Sequence, residues 1–387
     1  MSGEFQQANA RADVVIIGGG VIGLSIARQL ALRGLRNVTV IERGEFGKEA
    51  SWAAGGILAP QVEADRADEF FEMACASRDL YPSFVQAVQH ETGIDVEFDQ
   101  TGTLLVSVHI GDDQQFRERF EWQTKAGFEV EWLTGREARQ LEPNIFPSRL
   151  FTCALRFPND WQVDNRKLTE ALYQSNRKLG VQLISNSQVT SLGIQAGRIT
   201  GVDSRDGFIA SRSVVIAAGA WSSQISRAGY FAPAFIGPVR GQMLCFQPKS
   251  PLARHVIYCP QGYLVPRRDG RLLAGSTTEH VGFEKQVTDQ GLESIKSMAY
   301  EVVPALKSAA IVDSWAGFRP HSLDDLPVLG PAGDIDGLFY ATGHYRNGIL
   351  LAPITAEIIA EAVVNRKSSP FFESFSPDRF RLAAASP

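Results

Sequence analysis

Three glycines, Gly18, Gly20 and Gly23, stand in G-x-G-x-x-G spacing, and Glu42 follows 19 residues past the last of them. Glycines at this spacing make room for a pyrophosphate. Gly18 permits a tight turn, Gly20 lets phosphates approach the backbone, and Gly23 lets a helix pack closely on a strand. The first helical amides, at Val21, Ile22 and Gly23, lack intrahelical partners and sit at the positive end of the helix, where an anion is stabilised. A carboxylate at Glu42 is placed to accept hydrogen bonds from a ribose diol. These residues predict a dinucleotide site without saying which dinucleotide, or what reaction. No metal site is expected, because the six histidines (His90, His109, His255, His280, His321, His344) show no ligand spacing. Four cysteines (Cys75, Cys153, Cys245, Cys259) contain no C-x-x-C and read as buried or incidental thiols in a reducing compartment.

The elements that must position this chemistry are legible from periodicity. Val14–Ile17 reads as a buried parallel strand, Val21–Leu32 as an amphipathic helix, and Val38–Ile41 as a second strand ending on the acid. A run of small residues, Glu49–Pro60, comes next. Helical periodicity covers Asp68–Gln89, Asp112–Ala126 and Thr134–Leu141, the last with Thr134 as N-cap. Gly102–Val108 reads as strand. Leu168–Leu179 is predicted helical and leads through Val181–Ser185 to strand pairs ending at Val202. Ser213–Ser222 is a buried strand breaking into a glycine turn. Alternation and turns over Pro238–Gly275 predict antiparallel sheet. Gly291–Leu306 reads as helix, Leu338–Gly343 as strand, and a final helix is expected from about Gly348 to Asn365. Parallel-type segments therefore sit at the start, middle and end, with antiparallel material between them. The pattern predicts a discontinuous nucleotide domain holding an inserted sheet domain.

At 387 residues the chain is long enough for two domains. Its net charge of −5 provides no basic field for nucleic acid. No apolar run approaches the ~18 residues of a membrane span. The first twelve residues are polar and lack a signal peptide's apolar centre, so a frayed tail and a cytoplasmic location are expected.

A nicotinamide dehydrogenase usually completes its nucleotide fold in one run of strands and helices, whereas this chain leaves early and returns twice. The returns are VVIAAGAWS near Gly219 and GLFYATGHYRNGILLAP from Gly337. With SWAAGGILA, PVRGQML, YLVPRRDGRLLAGST and WAGFRP, these motifs give a chain that resembles the D-amino-acid oxidase group of FAD-dependent amine oxidoreductases. Within that group it is similar to the glycine oxidases of the ThiO type, associated with thiamine biosynthesis, from about Asp13 to Arg379. The resemblance implies an α/β plus α+β fold: a discontinuous Rossmann-like FAD-binding domain (1–92, 157–234, 318–387) with an inserted antiparallel-sheet substrate-binding domain (93–156, 235–317). Small side chains at Ser51, Ala53, Ala54, Gly55 and Gly56 would let the backbone approach phosphates and a flat isoalloxazine, although a turn needed only for packing would look the same. The resemblance puts the Val189 backbone at the adenine and adds Arg43, Ala218, Gly219, Trp221, Arg346, Asn347, Gly348, Ile349 and Leu350 to the FAD contacts. It also implies that the helix after HYRNG points its amino end at the flavin N1–C2=O edge; a plain helix cap is the alternative. FAD is expected to be non-covalent, since the last cysteine, Cys259, lies far from HYRNG.

The resemblance also implies the substrate residues. Arg319 in WAGFRP corresponds to the arginine that grips a substrate carboxylate, a task suited to its planar, permanently charged fork. Tyr263 in GYLVP corresponds to the tyrosine sharing that carboxylate, and Arg346 to a second arginine near the substrate amine through its backbone carbonyl. The implied reaction is hydride transfer from Cα of a neutral amine (glycine, sarcosine or D-alanine) to flavin N5. The imine then hydrolyses to glyoxylate or another keto acid and ammonia, and oxygen is reduced to hydrogen peroxide. Gln261, Gly56 and Leu58 depart from the family pattern at positions lining the entrance or side-chain pocket, which puts the substrate range in doubt. A D-amino-acid dehydrogenase, a sarcosine oxidase-like enzyme and a non-catalytic flavin-binding subunit are the alternatives. Relatives form tetramers, so a homo-oligomer is an expectation of the resemblance alone.

Overall fold

The computed structural model describes residues 11–108, 112–146, 153–226 and 236–380, so most of the amino-terminal tail and His109 lie outside it. Its framework is a six-stranded sheet in the order Val328–Pro331, Leu338–Thr342, Val214–Ile216, Val14–Ile17, Val38–Ile41, Gln182–Ile184. All neighbours are parallel except the first pair. Val14, Val15, Ile16 and Ile17 are all buried, as a parallel strand covered on both faces requires. On one face lie the helices Val21–Leu32, Glu69–Thr92, Asn165–Lys178 and Ala352–Asn365, joined through a core that includes Leu24, Leu30, Met73, Tyr81, Leu172 and Ile359. The other face is closed by the small sheet Arg11–Ala12, Gly207–Ser211, Arg198–Ser204, Val189–Gln195. The strands needed for this sheet come from the start, middle and end of the described chain, as expected.

The intervening segments build an eight-stranded sheet: Ala310–His321, Gly237–Gln247, Leu272–Gly275, Gly262–Pro266, Val256–Cys259, Thr103–Val106, Cys153–Phe157, Glu131–Thr134. It is antiparallel except where Val256–Cys259 meets Thr103–Val106 in parallel. That junction joins two separate excursions of the chain, and no hairpin dictates its sense.

Local chemistry sets the element ends. Asp68 caps its helix by accepting from the Phe71 amide at 2.9 Å, and Gly93 ends it at φ 77°. Thr134 forms the expected N-cap as a full capping box with Glu137. Two expected helices differ. The α-helix beginning at Asp289 stops at Val302, because Pro304 has no amide to continue it, and Pro304–Ser308 forms a 3₁₀ turn. The final helix starts at Ala352, not about Gly348, with Pro353 in its first turn. A start at Gly348 would have placed Pro353 inside the helix, with its ring against the Ile349 carbonyl. All four cysteines are buried and none is in a disulfide, and among the described residues no helix is long and apolar enough to cross a membrane.

Candidate functional site

One long cavity runs from the glycine turn to the eight-stranded sheet, and the strand–turn junctions at its floor explain its shape. At the nucleotide end Gly18 adopts φ 112°, and a Cβ there would stand 2.3 Å from the Ala217 carbonyl oxygen. A Cβ on Gly23 would stand 2.0 Å from the Gly18 carbonyl oxygen, so this glycine serves the close helix–strand contact and does not line the cavity. Gly20 caps the helix with no side-chain hydrogen bond, while the Val21 amide donates to Ser51 Oγ at 2.9 Å. Glu42 is fixed by the Gly19 and Gly44 amides at 2.8 and 3.0 Å, one on each carboxylate oxygen. Arg43 pairs with Glu49 at 3.0 Å and lies 3.5 Å from the ring centre of Trp221. Val189, Ala218 and Gly219 line the same end.

The small-residue stretch forms the middle of the cavity. Gly56 has φ 74°, and a Cβ would meet the Val163 carbonyl oxygen at 2.0 Å, so this backbone admits no side chain at all. Asn165 donates to the Ser51 and Trp52 carbonyls at 2.7 and 3.1 Å. Arg267 is buried and donates to the Gly55 carbonyl at 2.9 Å and to Asn165 Oδ1 at 3.1 Å. Burial pulls its pKa below the ordinary arginine value. Trp315 Nε1 donates to the Ala53 carbonyl at 3.0 Å. Arg267 lies inside the YLVPRRDGRLLAGST motif and Asn165 in none of the motifs; neither carries a local signal for such a role.

At the far end, the Ala310–His321 strand delivers Arg319 into the cavity. Its Nη1 donates to the Thr277 and Arg240 carbonyls at 3.1 and 3.4 Å, and its Nη2 to Ser276 Oγ at 2.5 Å. A guanidinium has five donors. The Nε hydrogen and one Nη2 hydrogen therefore have no partner among the described residues, and no carboxylate among them pairs with the charge. Gly241 makes this placement feasible, since a Cβ there would lie 2.5 Å from both terminal nitrogens. Tyr263 donates to Ser276 Oγ at 3.2 Å and touches Met243 Sδ at 3.5 Å. Arg346, in contrast, pairs with Glu63 at 3.3 Å, and that carboxylate raises its pKa above the ordinary value. Glu63 also accepts from Tyr258 at 2.8 Å, and burial lifts the Tyr258 phenol well above its usual range. Glu63, Tyr258, Met243 and Ser276 were missed from the sequence because they lie outside any spacing pattern.

Ser51, Ala53, Ala54, Gly55, Asn347, Gly348 and Ile349 also line the cavity. Leu350 does not: it is buried in the helix-side core, because the turn preceding Ala352 directs it inward. The later helix start also leaves Gly348 in a turn and not at a helix amino end. Of the three departures, Leu58 is fully buried core and does not line the pocket, and Gln261 is exposed at a strand turn outside it.

The model of the family described as FAD dependent oxidoreductase matches residues 13–362. The chain belongs to that family. Among its relatives, the bifunctional protein ThiO/ThiG of Synechocystis is 38% identical over 376 residues, covering 95% of this chain and 54% of the relative. Glycine oxidase of Pseudomonas aeruginosa is 36% identical, covering 92% of this chain and 95% of the relative. The solved glycine oxidase from Bacillus cereus matches with a TM-score of 0.88 at 33% identity, over 94% of this chain and 98% of that one. The chain thus spans about half the length of the bifunctional relative and nearly all of the other two. FAD is the family's cofactor, and the residues present fit it. Gly18 and Gly20 line the cavity at the glycine turn, where Gly18 has no room for a Cβ and one on Gly20 would stand 3.1 Å from Ser51 Oγ. Ser187 Oγ, in the cavity wall beside Glu42 and Val189, is buried without a hydrogen-bond partner among the described residues. Such an orphan costs about 1–3 kcal/mol until a ligand satisfies it.

His344 lines the wall of this FAD-dependent oxidoreductase's cavity, with its Nε2 3.1 Å from Thr355 Oγ1, and burial pushes its pKa from 6.5 down to about 3. The native ring stays neutral while the unfolded chain takes up a proton below pH 6.5. Its contribution to stability is complete above that value and is lost as pH falls toward 3. The loss at pH 5 is expected to be about 2 kcal/mol. Urea unfolding at pH 7 and pH 5 checks this: the pH 7-to-5 loss should shrink by that amount in His344→Gln, and an equal loss in both proteins would refute it.

Proposed function

We propose that this chain oxidatively deaminates glycine and small amines or D-amino acids such as sarcosine and D-alanine. The observation that carries the reading is that Arg319, with donors left unpaired among the described residues, lines the same cavity as the glycine turn. An uncompensated guanidinium at the end of a mostly apolar cavity calls for a planar anion, and an amino-acid carboxylate supplies one. Bound FAD would supply the acceptor for the hydride leaving the substrate Cα. The protein's part is positional: Arg319 and Tyr263 fix the carboxylate, while Glu63 neutralises Arg346 and leaves its backbone carbonyl as the group offered to the amine. No protein base is assigned, since a neutral amine loses hydride without one. With water and oxygen, the products are an oxo acid, hydrogen peroxide and the amine released by imine hydrolysis: ammonia from glycine or D-alanine, methylamine from sarcosine.

The proposed division of labour follows the sheets, with 1–92, 157–234 and 318–387 holding FAD and 93–156 with 235–317 shaping the substrate end. The Ala310–His321 strand runs across that border and carries Arg319 with it. We further propose that the product serves the thiazole branch of thiamine biosynthesis, a reading supported by the likeness to ThiO/ThiG, and that the protein works in the cytoplasm, as a homo-oligomer with oxygen as acceptor. The test is anaerobic mixing of FAD-loaded protein with glycine, sarcosine, D-alanine or D-proline. Visible absorbance near ~450 nm should bleach, and admitting oxygen should yield peroxide. Bleaching without peroxide would make the chain a dehydrogenase; no bleaching with any of the four would overturn the reading.

A further inference from the structure

Ser276 occupies the point where the two expected carboxylate ligands meet. Its Oγ accepts one hydrogen bond from Arg319 Nη2 at 2.5 Å and another from the Tyr263 hydroxyl at 3.2 Å. A serine hydroxyl has two acceptor positions and one proton. Both acceptor positions are filled by donors, and among the described residues the proton meets no acceptor. Ser276 lines the cavity beside Tyr263 and Arg319. With the Tyr263 proton directed at Ser276 Oγ, two sets of free donors remain there with no acceptor between them: the unpaired Arg319 hydrogens and the Ser276 hydroxyl. An array of this kind is complementary to an anion and to nothing neutral that lacks lone pairs. The same bonds hold the arginine in place. With Nη1 tied to two backbone carbonyls and Nη2 to Ser276, the guanidinium plane is fixed and its unpaired hydrogens are presented in one orientation.

We propose that Ser276 is a third ligand of the substrate carboxylate, donating its hydroxyl proton to the anion while locking the Arg319 plane. The proposal rests on the reading that this cavity takes an amino-acid carboxylate. It makes Ser276 a determinant of affinity for the carboxylate end of the substrate, with no part in hydride departure from Cα.

Acetate, which has the carboxylate and lacks the amine, is the probe, titrated into FAD-loaded protein and followed by the change in visible absorption. Ser276→Ala is expected to weaken acetate about five- to tenfold and to raise the KM for glycine similarly, leaving kcat within about twofold. Ser276→Thr keeps the hydroxyl and is expected to bind acetate like the parent. Ser276→Cys, close in volume but a weak donor, should behave like the alanine variant and serves if the latter does not fold. The proposal is overturned if Ser276→Ala or Ser276→Cys binds acetate with parental affinity while Arg319→Ala does not. It is overturned equally if Ser276→Thr loses as much as Ser276→Ala. If Arg319→Ala also binds acetate normally, the carboxylate reading itself falls.

Discussion

Arg319→Ala is expected to raise the apparent KM for glycine by about ten- to a hundredfold, the loss of roughly 1.5–3 kcal/mol of charge-assisted hydrogen bonding. The stability of the fold should change little, because Arg319 has no carboxylate partner among the described residues and its present bonds go to two backbone carbonyls and one hydroxyl. Lysine should restore only part of the loss, since a point charge cannot present two parallel donors. Gly241→Ala supplies an independent check without touching the arginine. Its methyl would enter the space of the guanidinium, which is the far end of a flexible side chain and can move. The expected result is a raised KM in a protein that melts normally. Steady-state kinetics on both variants decide the matter: an unchanged KM in Arg319→Ala would remove this residue from the carboxylate site.

The second large effect is expected at Arg267. Removing this side chain strands the Gly55 carbonyl and Asn165 Oδ1 in a buried setting, and Asn165 in turn holds the Ser51 and Trp52 carbonyls. Breaking such a network is expected to cost about 3 kcal/mol in stability. The stretch from Ser51 to Gly56 lines the cavity along its middle, so loss of its anchor should also weaken FAD. Arg267→Ala should therefore show a lower thermal midpoint without cofactor and a weaker FAD affinity by fluorescence titration. Arg267→Lys, which keeps charge but not the fork, should recover the midpoint better than the affinity. Parental values for both quantities in Arg267→Ala would show that the loop holds itself.

How much of this was readable before the structure follows from how each part is assembled. The nucleotide end lies in one short stretch, Gly18 to Glu42, where strand, turn, helix and strand follow in order and each glycine has a local cause. Spacing alone therefore carried it. The substrate end draws Glu63, Gly241, Tyr263, Ser276 and Arg319 from segments far apart in the chain, brought together by the pairing of Gly237–Gln247 with Leu272–Gly275 on one side and Ala310–His321 on the other. No periodicity within one segment reports such a meeting, and Arg319 and Tyr263 were found only through family motifs. Ser276 and Arg267 lay inside quoted motifs and still went unremarked, because a hydroxyl bridging two donors and a cation holding carbonyls leave no trace in composition. The late start of the last helix was legible in Pro353 and was missed by reading the glycine at 348 as the boundary. Leu58 shows the opposite limit: an apolar residue beside a cavity motif has equal standing as lining or as core until the packing is seen.

A catalyst that releases hydrogen peroxide must also survive it. Oxidation of sulfur follows exposure and thiolate content, and here all four thiols are buried. Burial raises Cys75 to about 12 and lifts Cys245 above the ordinary thiol value, so at neutral pH both remain protonated and poorly nucleophilic. The dense cores on both sides of the cavity therefore do more than stabilise the fold. On the proposed reaction they also keep the protein's own thiols out of reach of its product, so that durability under turnover is a property of where the sulfur sits.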